Sequence, residues 1–252
     1  MIKTADNHTI AYTEEKVNTS NVVLMCHGIT SSKEEGGFYT SFATRLNHAG
    51  FSTFRFDFRG HGDSAIPSVN ATIAGMIADL NSVINYVSRK YHRTSIIAAS
   101  FGASILLLLM QQRKVSVSGV VFLNPVTDYR TVFTARETAW SKSFFPVGGL
   151  KEVLRRHEKI RIGDDFFLNP LMALEFYYYT PNSIPWNCDI PAIVLHGTKD
   201  QIVPIEDSRD FVKRSNTSFI ELIEFSEATH GLEENVSEVT SMSCEFLDRW
   251  SK

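Results

Sequence analysis

The chain alternates short, continuously apolar segments with longer amphipathic ones, and this alternation restricts its fold more than any other feature. The predicted strands cover residues 9–12, 21–26, 52–58, 95–99, 119–123, 192–196 and 219–225. The predicted helices cover residues 38–48, 73–90, 103–112, 206–214 and 234–250. Strands that are apolar on both faces and separated by helices indicate a mostly parallel sheet covered on both sides. The predicted fold class is therefore α/β.

Composition excludes several kinds of protein. With 25 Lys and Arg against 28 Asp and Glu, the net charge is −3, so no global basic surface is available for nucleic acid or for a polybasic membrane anchor. Three scattered cysteines fit a reducing compartment and no metal-ligand spacing. The first thirty residues show no signal-peptide pattern, and the longest apolar run, residues 105–110, is too short to span a membrane. We expect a cytoplasmic protein with no metal and no stable membrane anchoring; the oligomeric state is left open.

One long segment interrupts the alternation. Residues 126–186 contain no clear core strand, yet they hold twelve of the chain's 29 aromatic residues. A structureless loop of this length is rare within a domain, which favours a small helical insertion with its own packing. The predicted organisation is an α/β core made of residues 1–125 and 187–252, with residues 126–186 as a cap.

Ser100 stands where a predicted strand turns at once into a predicted helix. Its neighbours two positions away, Ala98 and Gly102, are small, as in the G-x-S-x-G turn that holds a nucleophile at the carboxyl edge of a sheet. The alternative is an ordinary serine at the start of a helix. Alanine in place of the first glycine makes this signal weaker than the full motif.

Two later turns supply partners for Ser100. Asp200 follows the strand at 192–196, and His230 follows the strand at 219–225. Turns at the carboxyl ends of parallel strands converge on one crevice, and the order serine, aspartate, histidine is that of α/β hydrolases. We therefore expect Ser100 as nucleophile, His230 as general base and acid, and Asp200 as the group that orients the imidazole. Asp128, just beyond the strand at 119–123, is an alternative acid.

An oxyanion hole requires two backbone donors. The N–H of Phe101, directly after the nucleophile, is the first candidate. The second is the N–H of Ile29, in the loop that begins His27-Gly28. We expect His27 to shape this loop and to take no part in proton transfer.

These segments resemble the α/β-hydrolase superfamily. The likeness rests on His27-Gly28, on the run from Asp57 to Ser64, on the Ser100 turn, on the run from His196 to Asp200 with Val203-Pro204, and on His230. Within the superfamily they are most similar to bacterial serine esterases of the feruloyl-esterase and monoacylglycerol-lipase-like groups. The resemblance implies esterase activity without a cofactor, a cap over the acyl pocket, and a bracing role for His61 and Asp63.

A second, weaker likeness connects the chain with the bacterial bioluminescence acyl-ACP thioesterases. It rests on the stretch 97–100 at the Ser100 turn and on the stretch from His230 to Asn235. The basic run at residues 155–161 is either a solvated helix face or a docking patch for an acidic partner such as an acyl carrier protein. Thioesters therefore stay open as substrates.

The aromatic residues of residues 126–186 are too dense for one face of a short helix. We expect some of them to face the crevice and bind an apolar or aryl acyl group, namely Phe144, Phe145, Phe176, Tyr177 and Tyr178. The predicted function is a serine hydrolase that cleaves small-molecule carboxylic esters. The alternatives are an acyl thioesterase, acting on acyl-ACP or acyl-CoA, and a ligand-binding homologue with negligible turnover.

Overall fold

A seven-stranded sheet forms the centre of the protein. The computed structural model describes residues 1–17, 20–163, 165–183, 185–186, 188–215 and 217–250. The strands are β1 (Ile2–Lys3), β2 (Thr9–Ile10), β3 (Tyr12–Glu15), β4 (Asn21–Cys26), β5 (Ser52–Phe56), β6 (Arg93–Ala99), β7 (Val120–Leu123), β8 (Ile160–Ile162), β9 (Phe166–Leu168), β10 (Ala192–Gly197) and β11 (Ile220–Phe225). The central sheet has the order β11-β10-β7-β6-β4-β5-β3. All its neighbouring strands are parallel except β3, which runs antiparallel to β5.

Helices cover both faces of this sheet, as the apolar strands predict. They are α1 (Phe38–His48), α2 (Ile73–Val87), α3 (Phe101–Gln112), α4 (Ala139–Phe144), α5 (Gly149–Arg156), α6 (Pro170–Tyr178), α7 (Ile205–Arg214) and α8 (Val236–Trp250). Successive residues of β4 point into different cores: Val23 and Met25 pack with α1 and α8, whereas Leu24 packs with α2 and α3. The α/β-hydrolase fold expected from the sequence is confirmed.

The predicted strand at residues 9–12 is divided in two. Residues Thr9–Ile10 pair with Ile2–Lys3 in a separate antiparallel ribbon, and Tyr12–Glu15 joins the edge of the main sheet. The edge strand is only partly buried along its whole length. Because it lacks the apolar run of the central strands, its sequence pattern is correspondingly weak.

Residues 126–186 contain more than the helices expected for them. The helices α4, α5 and α6 agree with the predicted helical insertion, and the antiparallel pair β8–β9 is an addition that the sequence pattern did not indicate. Each strand of the pair is three residues long, too short for its alternation to stand out from a buried helix. The predicted domain boundary at Asn187 lies outside the described residues, and the division into core and cap stays a proposal.

Candidate active site

Ser100 occupies the turn between β6 and α3. Its backbone has φ 49° and ψ −117°, a conformation that is strained for a residue with a side chain. The Ser100 N–H donates to the carbonyl oxygen of Leu123 at 2.8 Å, and the Ser100 carbonyl accepts from the N–H of Val126 at 3.0 Å. These two bonds tie the turn to the end of β7 and hold the serine at the carboxyl edge of the sheet.

Gly102 lies where α3 passes close to the end of β4. A Cβ atom at Gly102 would stand 2.6 Å from the carbonyl oxygens of Cys26 and His27. We expect Gly102→Ala to lower the free energy of unfolding by about 2 kcal/mol, because backbone atoms must move to admit the methyl group. Ala98→Gly is the matched control and should cost about 1 kcal/mol. Urea unfolding measures the free energy of unfolding of both variants. An equal decrease in Gly102→Ala and Ala98→Gly would contradict this explanation.

His230 bridges Ser100 and Asp200. Its Nε2 atom lies 3.0 Å from Ser100 Oγ, and its Nδ1 atom lies 2.6 Å from Asp200 Oδ2. Because an ionised carboxylate only accepts hydrogen bonds, Nδ1 carries the proton and Nε2 accepts from the Ser100 hydroxyl. The structure thus brings together in one hydrogen-bonded chain the three residues that the sequence places in three separate turns.

Asp200 is held by three further contacts. Its Oδ1 accepts from the backbone N–H groups of Ile202 at 2.8 Å and Val203 at 2.9 Å. The Nε2 atom of His196 lies 3.2 Å from Oδ2, and His196 Nδ1 is fixed by the Ser208 hydroxyl at 2.7 Å. Burial raises the pKa of Asp200, but the hydrogen bonds from His196 and His230 outweigh it and hold this pKa well below its ordinary value. Asp200 is therefore an anion at neutral pH.

Two residues that the sequence did not single out complete this arrangement. His196 supports Asp200, and Asn124 donates from Nδ2 to the His230 carbonyl oxygen. The Oδ1 atom of Asn124 accepts from Gly197 N at 2.9 Å, so Asn124 joins the histidine turn to β10. Asn124 directly follows β7 and has a positive φ of 42°. This backbone conformation accompanies its role and cannot be recognised from the sequence.

Asp128, the alternative acid, makes different contacts. Its Oδ1 accepts from the Arg130 N–H at 2.8 Å. Burial, together with the charge of Asp128 nearby, raises the pKa of Asp207 in α7 to about 7. Asp128 thus lies near α7, and the carboxylate bonded to His230 is that of Asp200.

The two predicted oxyanion donors belong to segments that meet at Ser100. Phe101 is the first residue of α3, and Ile29 lines the same cavity as Ser100. Neither N–H has an acceptor among the described residues, which leaves both available to a ligand. Their role as an oxyanion hole stays a prediction.

Glu35 is a candidate that sequence reasoning missed. Its Oε2 accepts from the Gly28 N–H at 2.8 Å, one residue before the predicted donor Ile29. Burial raises the pKa of Glu35, while its bonds to Gly28 and Ser31 and the nearby His230 oppose that rise. The sequence does not distinguish Glu34 from Glu35, since the two glutamates are adjacent. Only the fold shows that Glu34 pairs with Arg55 and that Glu35 lines the cavity.

We expect Glu35 to act on the reaction as a hydrogen-bond acceptor that holds the loop containing Ile29. Glu35→Gln retains an acceptor and should keep kcat within about threefold, whereas Glu35→Ala leaves the Gly28 N–H without its partner and should lower kcat roughly 10- to 100-fold. Steady-state hydrolysis of a p-nitrophenyl ester measures both, with Glu34→Gln as the control in the same turn. Equal losses of kcat in Glu35→Gln and Glu35→Ala would show that the negative charge of Glu35 matters, and not its role as a hydrogen-bond acceptor.

His27 and His61 form a buried pair under the loop. His27 Nε2 accepts from the Phe58 N–H at 3.1 Å, and its Nδ1 lies 2.8 Å from the Gly28 carbonyl oxygen, which confirms the shaping contact expected of His27. His61 packs against His27 and stacks on Phe166, with ring centroids 4.9 and 4.6 Å apart. These contacts give both histidines a packing role.

Burial gives this pair a pH signature. It lowers the pKa of His27 to about 4 and that of His61 to about 3. The unfolded chain binds these protons near pH 6.5 and the folded chain does not, so stability must fall as the pH drops below 6.5. We expect each histidine to lower the free energy of unfolding by about 2 kcal/mol between pH 7.5 and pH 5.

Urea unfolding of wild type and His61→Phe at the two pH values tests this expectation. The phenyl ring keeps the stacking on Phe166 but cannot bind a proton, so the decrease in stability between pH 7.5 and pH 5 should be smaller by about 2 kcal/mol. An unchanged pH dependence in the variant would refute the assignment.

Ser100 opens into a cavity of about 700 Å³, which we call the first cavity. Val132, Phe133 and Trp140 of residues 126–186 supply apolar surface, and Ile29 and Ile202 also line this cavity. A volume of this size suits a ligand of drug-like dimensions. The first cavity is the candidate acyl-binding space.

None of the five aromatic residues expected to bind the acyl group lines the first cavity. Phe144 and Phe145 line a separate cavity of about 300 Å³ beside α5. Phe176 is buried and stacks on Phe133 with ring centroids 4.0 Å apart. Tyr177 and Tyr178 are exposed, by 39% and 78%. The prediction that these five residues line the space beside Ser100 is therefore wrong, and the aromatic residues that line it are Phe133 and Trp140.

Helical spacing explains the correction. In α6 the residues Met172, Ala173 and Phe176 are buried, which is the i, i+1, i+4 pattern of one helix face. That burial turns the two following tyrosines outward. Counting aromatic residues identified the right segment, but the density of rings gives no information on which of them share a face.

Other candidate groups have structural explanations. Burial raises the pKa of the Cys26 thiol, so this cysteine is a packed side chain. Exposed Asp63 pairs with Lys33 at 2.5 Å. In the part of the chain that the structure describes, no group of three or more His, Cys, Asp or Glu side chains is arranged to hold a metal ion. Over the same residues, no helix combines the length and apolarity needed to cross a bilayer.

Proteins of known structure share this architecture. Est1E from Butyrivibrio proteoclasticus, solved with ferulic acid, superposes with a TM-score of 0.78 at 18% identity over 99% of this chain and 98% of its own. The monoacylglycerol lipase of Paleococcus ferrophilus gives 0.73 at 19% identity over 95% and 98%. The Pyrococcus furiosus esterase gives 0.75 at 21% identity over 99% and 89%. At these identities the likeness concerns the fold.

Sequence relatives point to the same superfamily. The human protein ABHD8 is 24% identical over 224 residues, and its mouse counterpart 22% over 223 residues; both matches cover 81% of this chain and 50% of the relative. The chain thus spans about half the length of these curated relatives. The Hydrolase_4 family model, described as serine aminopeptidase S33, matches residues 18–161. With more than half of its length matched and the sheet described above, the chain belongs to this S33 family of α/β hydrolases.

Proposed function

We propose that the protein hydrolyses carboxylic esters through an acyl-Ser100 intermediate. The observation that carries the proposal is the hydrogen-bonded chain from Ser100 Oγ through both nitrogens of His230 to Asp200. This is the arrangement that activates a serine hydroxyl for attack on an acyl carbon. The esterases and the lipase among the structural relatives support the substrate class without fixing it.

The first half of the reaction transfers the acyl group to the enzyme. Ser100 Oγ forms a bond to the carbonyl carbon while its proton passes to His230 Nε2. Asp200, an anion beside Nδ1, stabilises the resulting imidazolium. The carbonyl oxygen becomes an oxyanion that the N–H groups of Ile29 and Phe101 bind. The tetrahedral intermediate then expels the alcohol, which takes the proton from His230.

The second half returns the enzyme to its starting state. A water molecule loses a proton to His230 Nε2 and attacks the acyl-enzyme carbonyl carbon. The second tetrahedral intermediate breaks its bond to Ser100 Oγ, which recovers the proton from His230 as the carboxylic acid leaves. No group outside the chain is consumed apart from water, and no cofactor is part of the proposal.

The contacts of the basic run argue against a docking patch for an acyl carrier protein. Arg155 and Arg156 both bond to Glu152 Oε1 at 2.8 Å within α5. Pairs at i, i+3 and i, i+4 are typical of a solvated helix face, and they reduce the positive charge that a docking patch for an acyl carrier protein would need. The thioesterase alternative therefore rests on the weaker sequence likeness alone.

Matched substrates test the proposal. We expect the protein to hydrolyse oxygen esters, with at most comparable kcat/KM for acyl-CoA or acyl-carrier thioesters of the same acyl chain. Replacing Arg155, Arg156 and Arg161 by Ser should leave both rates unchanged. A strong thioester preference that disappears in this triple variant would overturn the choice of substrate. Ligand binding without Ser100-dependent turnover of any ester would instead indicate a binding protein.

A further inference from the structure

Ser100 and His230 each line two cavities. Besides the first cavity there is a second cavity of about 520 Å³, formed where α1, β7 and the start of α8 meet. Six residues line both cavities: Glu35, Gly36, Ser100, His230, Gly231 and Glu233. The reacting serine and histidine therefore stand at a neck that opens into both cavities.

The two openings suit the two halves of an ester. This step rests on the proposed function. Ile29, whose N–H is a proposed oxyanion donor, lines the first cavity and not the second. The second cavity shares His230, which protonates the leaving oxygen, and continues along the turn that follows it. A tetrahedral centre on Ser100 that directs its oxyanion toward Ile29 and its leaving oxygen toward His230 can place its leaving group in the second cavity.

The lining of the second cavity has a defined chemical character. Phe38, Leu123, Leu232 and Val236 supply apolar surface. Two carboxyl groups, those of Glu35 and Glu233, stand at the neck, and no lysine or arginine of the described chain lines this space. The cation among the residues lining the first cavity, Lys199, is absent from the second. An anionic group placed here would meet like charge without a counter-ion.

We infer that the second cavity is the leaving-group site, and that it accepts apolar alcohols that are uncharged or cationic and disfavours anionic leaving groups. The same charges give a physical reason for esters over coenzyme A thioesters, whose leaving group carries phosphates. The location of the leaving group and the charge preference are tested by separate experiments.

Location is tested by filling the cavity from α1. Ser41 lines the second cavity, whereas Thr44, one turn along the same helix, is exposed and lines neither cavity. We expect Ser41→Trp to lower kcat/KM for benzyl butanoate at least about tenfold, with less than about threefold effect on methyl butanoate and methyl octanoate. Thr44→Trp should change none of the three. If Ser41→Trp lowered kcat/KM for methyl octanoate more than for methyl butanoate, or did not lower it for benzyl butanoate, the second cavity would not be the leaving-group site.

Charge preference is tested with butanoate esters of nearly equal size. The alcohols are choline, its uncharged analogue 3,3-dimethylbutanol, and 2-sulfoethanol. We expect the anionic ester to be cleaved at least about tenfold less efficiently than the uncharged one, with the choline ester equal or better. Glu233→Gln should reduce the difference in kcat/KM between the anionic and the uncharged ester. Glu234→Gln is the control, because Glu234 does not line the cavity, and it should leave this difference unchanged. Equal or better cleavage of the anionic ester by wild type would overturn the preference.

These outcomes are distinct from failure of the proposed function. If the protein is not a serine esterase, wild type hydrolyses none of the esters in a Ser100-dependent manner. If it is an esterase whose leaving group lies elsewhere, wild type is active and the Ser41→Trp and charge patterns are absent. Thermal unfolding of the variants identifies any whose loss comes from misfolding.

Discussion

Ser100→Ala should lower kcat for a p-nitrophenyl ester about a millionfold. In a serine hydrolase the nucleophile and its base act as a unit, so removing the hydroxyl removes nearly all of their joint contribution. A residual rate of roughly 10³- to 10⁴-fold over water is expected from the oxyanion donors and from binding. Steady-state hydrolysis at saturating ester measures the loss, with KM as the test of whether binding survives.

A matched serine variant separates chemistry from stability. Ser82 lies on α2, lines neither cavity, and donates to the carbonyl oxygen of Ala78 at 2.8 Å. Ser82→Ala should retain full kcat. If Ser100→Ala retained more than a tenth of wild-type kcat while folded, the hydroxyl would not be the nucleophile.

Asp200→Asn should reduce kcat about 10⁴-fold, by reversing the tautomer of His230. Oδ1 of Asp200 accepts from the N–H groups of Ile202 and Val203, so in the variant the amide oxygen takes that position and the amide NH₂ group faces His230. Nδ1 must then accept, which places the proton on Nε2 and leaves no acceptor for the Ser100 hydroxyl. Stopped-flow acylation with a chromogenic ester measures the loss directly.

Asp128→Asn is the control for the identity of the acid. Since Asp128 bonds to Arg130 and not to His230, its replacement should change kcat less than about threefold, within the range of an ordinary surface substitution. If Asp128→Asn instead caused the large loss of kcat and Asp200→Asn the small one, Asp128 would be the acid of the triad.

Much of the scaffold is predictable because it follows from local pattern. Apolar runs at β4, β6, β7 and β10 indicate strands buried on both faces, and all four lie in the central sheet. The turns after those strands share one edge for topological reasons. That rule brings Ser100, Asp200 and His230 together from positions as much as 130 residues apart in the chain.

The remaining features depend on tertiary packing. Glu35 and Glu34 are adjacent in sequence, and only the approach of Gly28 gives Glu35 its place at the neck. The aromatic residues of 126–186 form a stacked cluster around Phe133, and the packing of α6 decides which rings face the ligand. The second cavity is lined by residues from α1, β7 and α8 that no local pattern connects.

The most direct test of the acyl-serine mechanism is the intact mass of the protein after reaction with a fluorophosphonate. The expected result is one phosphonyl adduct per chain, located on Ser100 by peptide mapping, formed more slowly while an ester substrate is present in excess, and absent in Ser100→Ala. An unmodified wild-type chain, or an adduct that persists in Ser100→Ala, would contradict the mechanism.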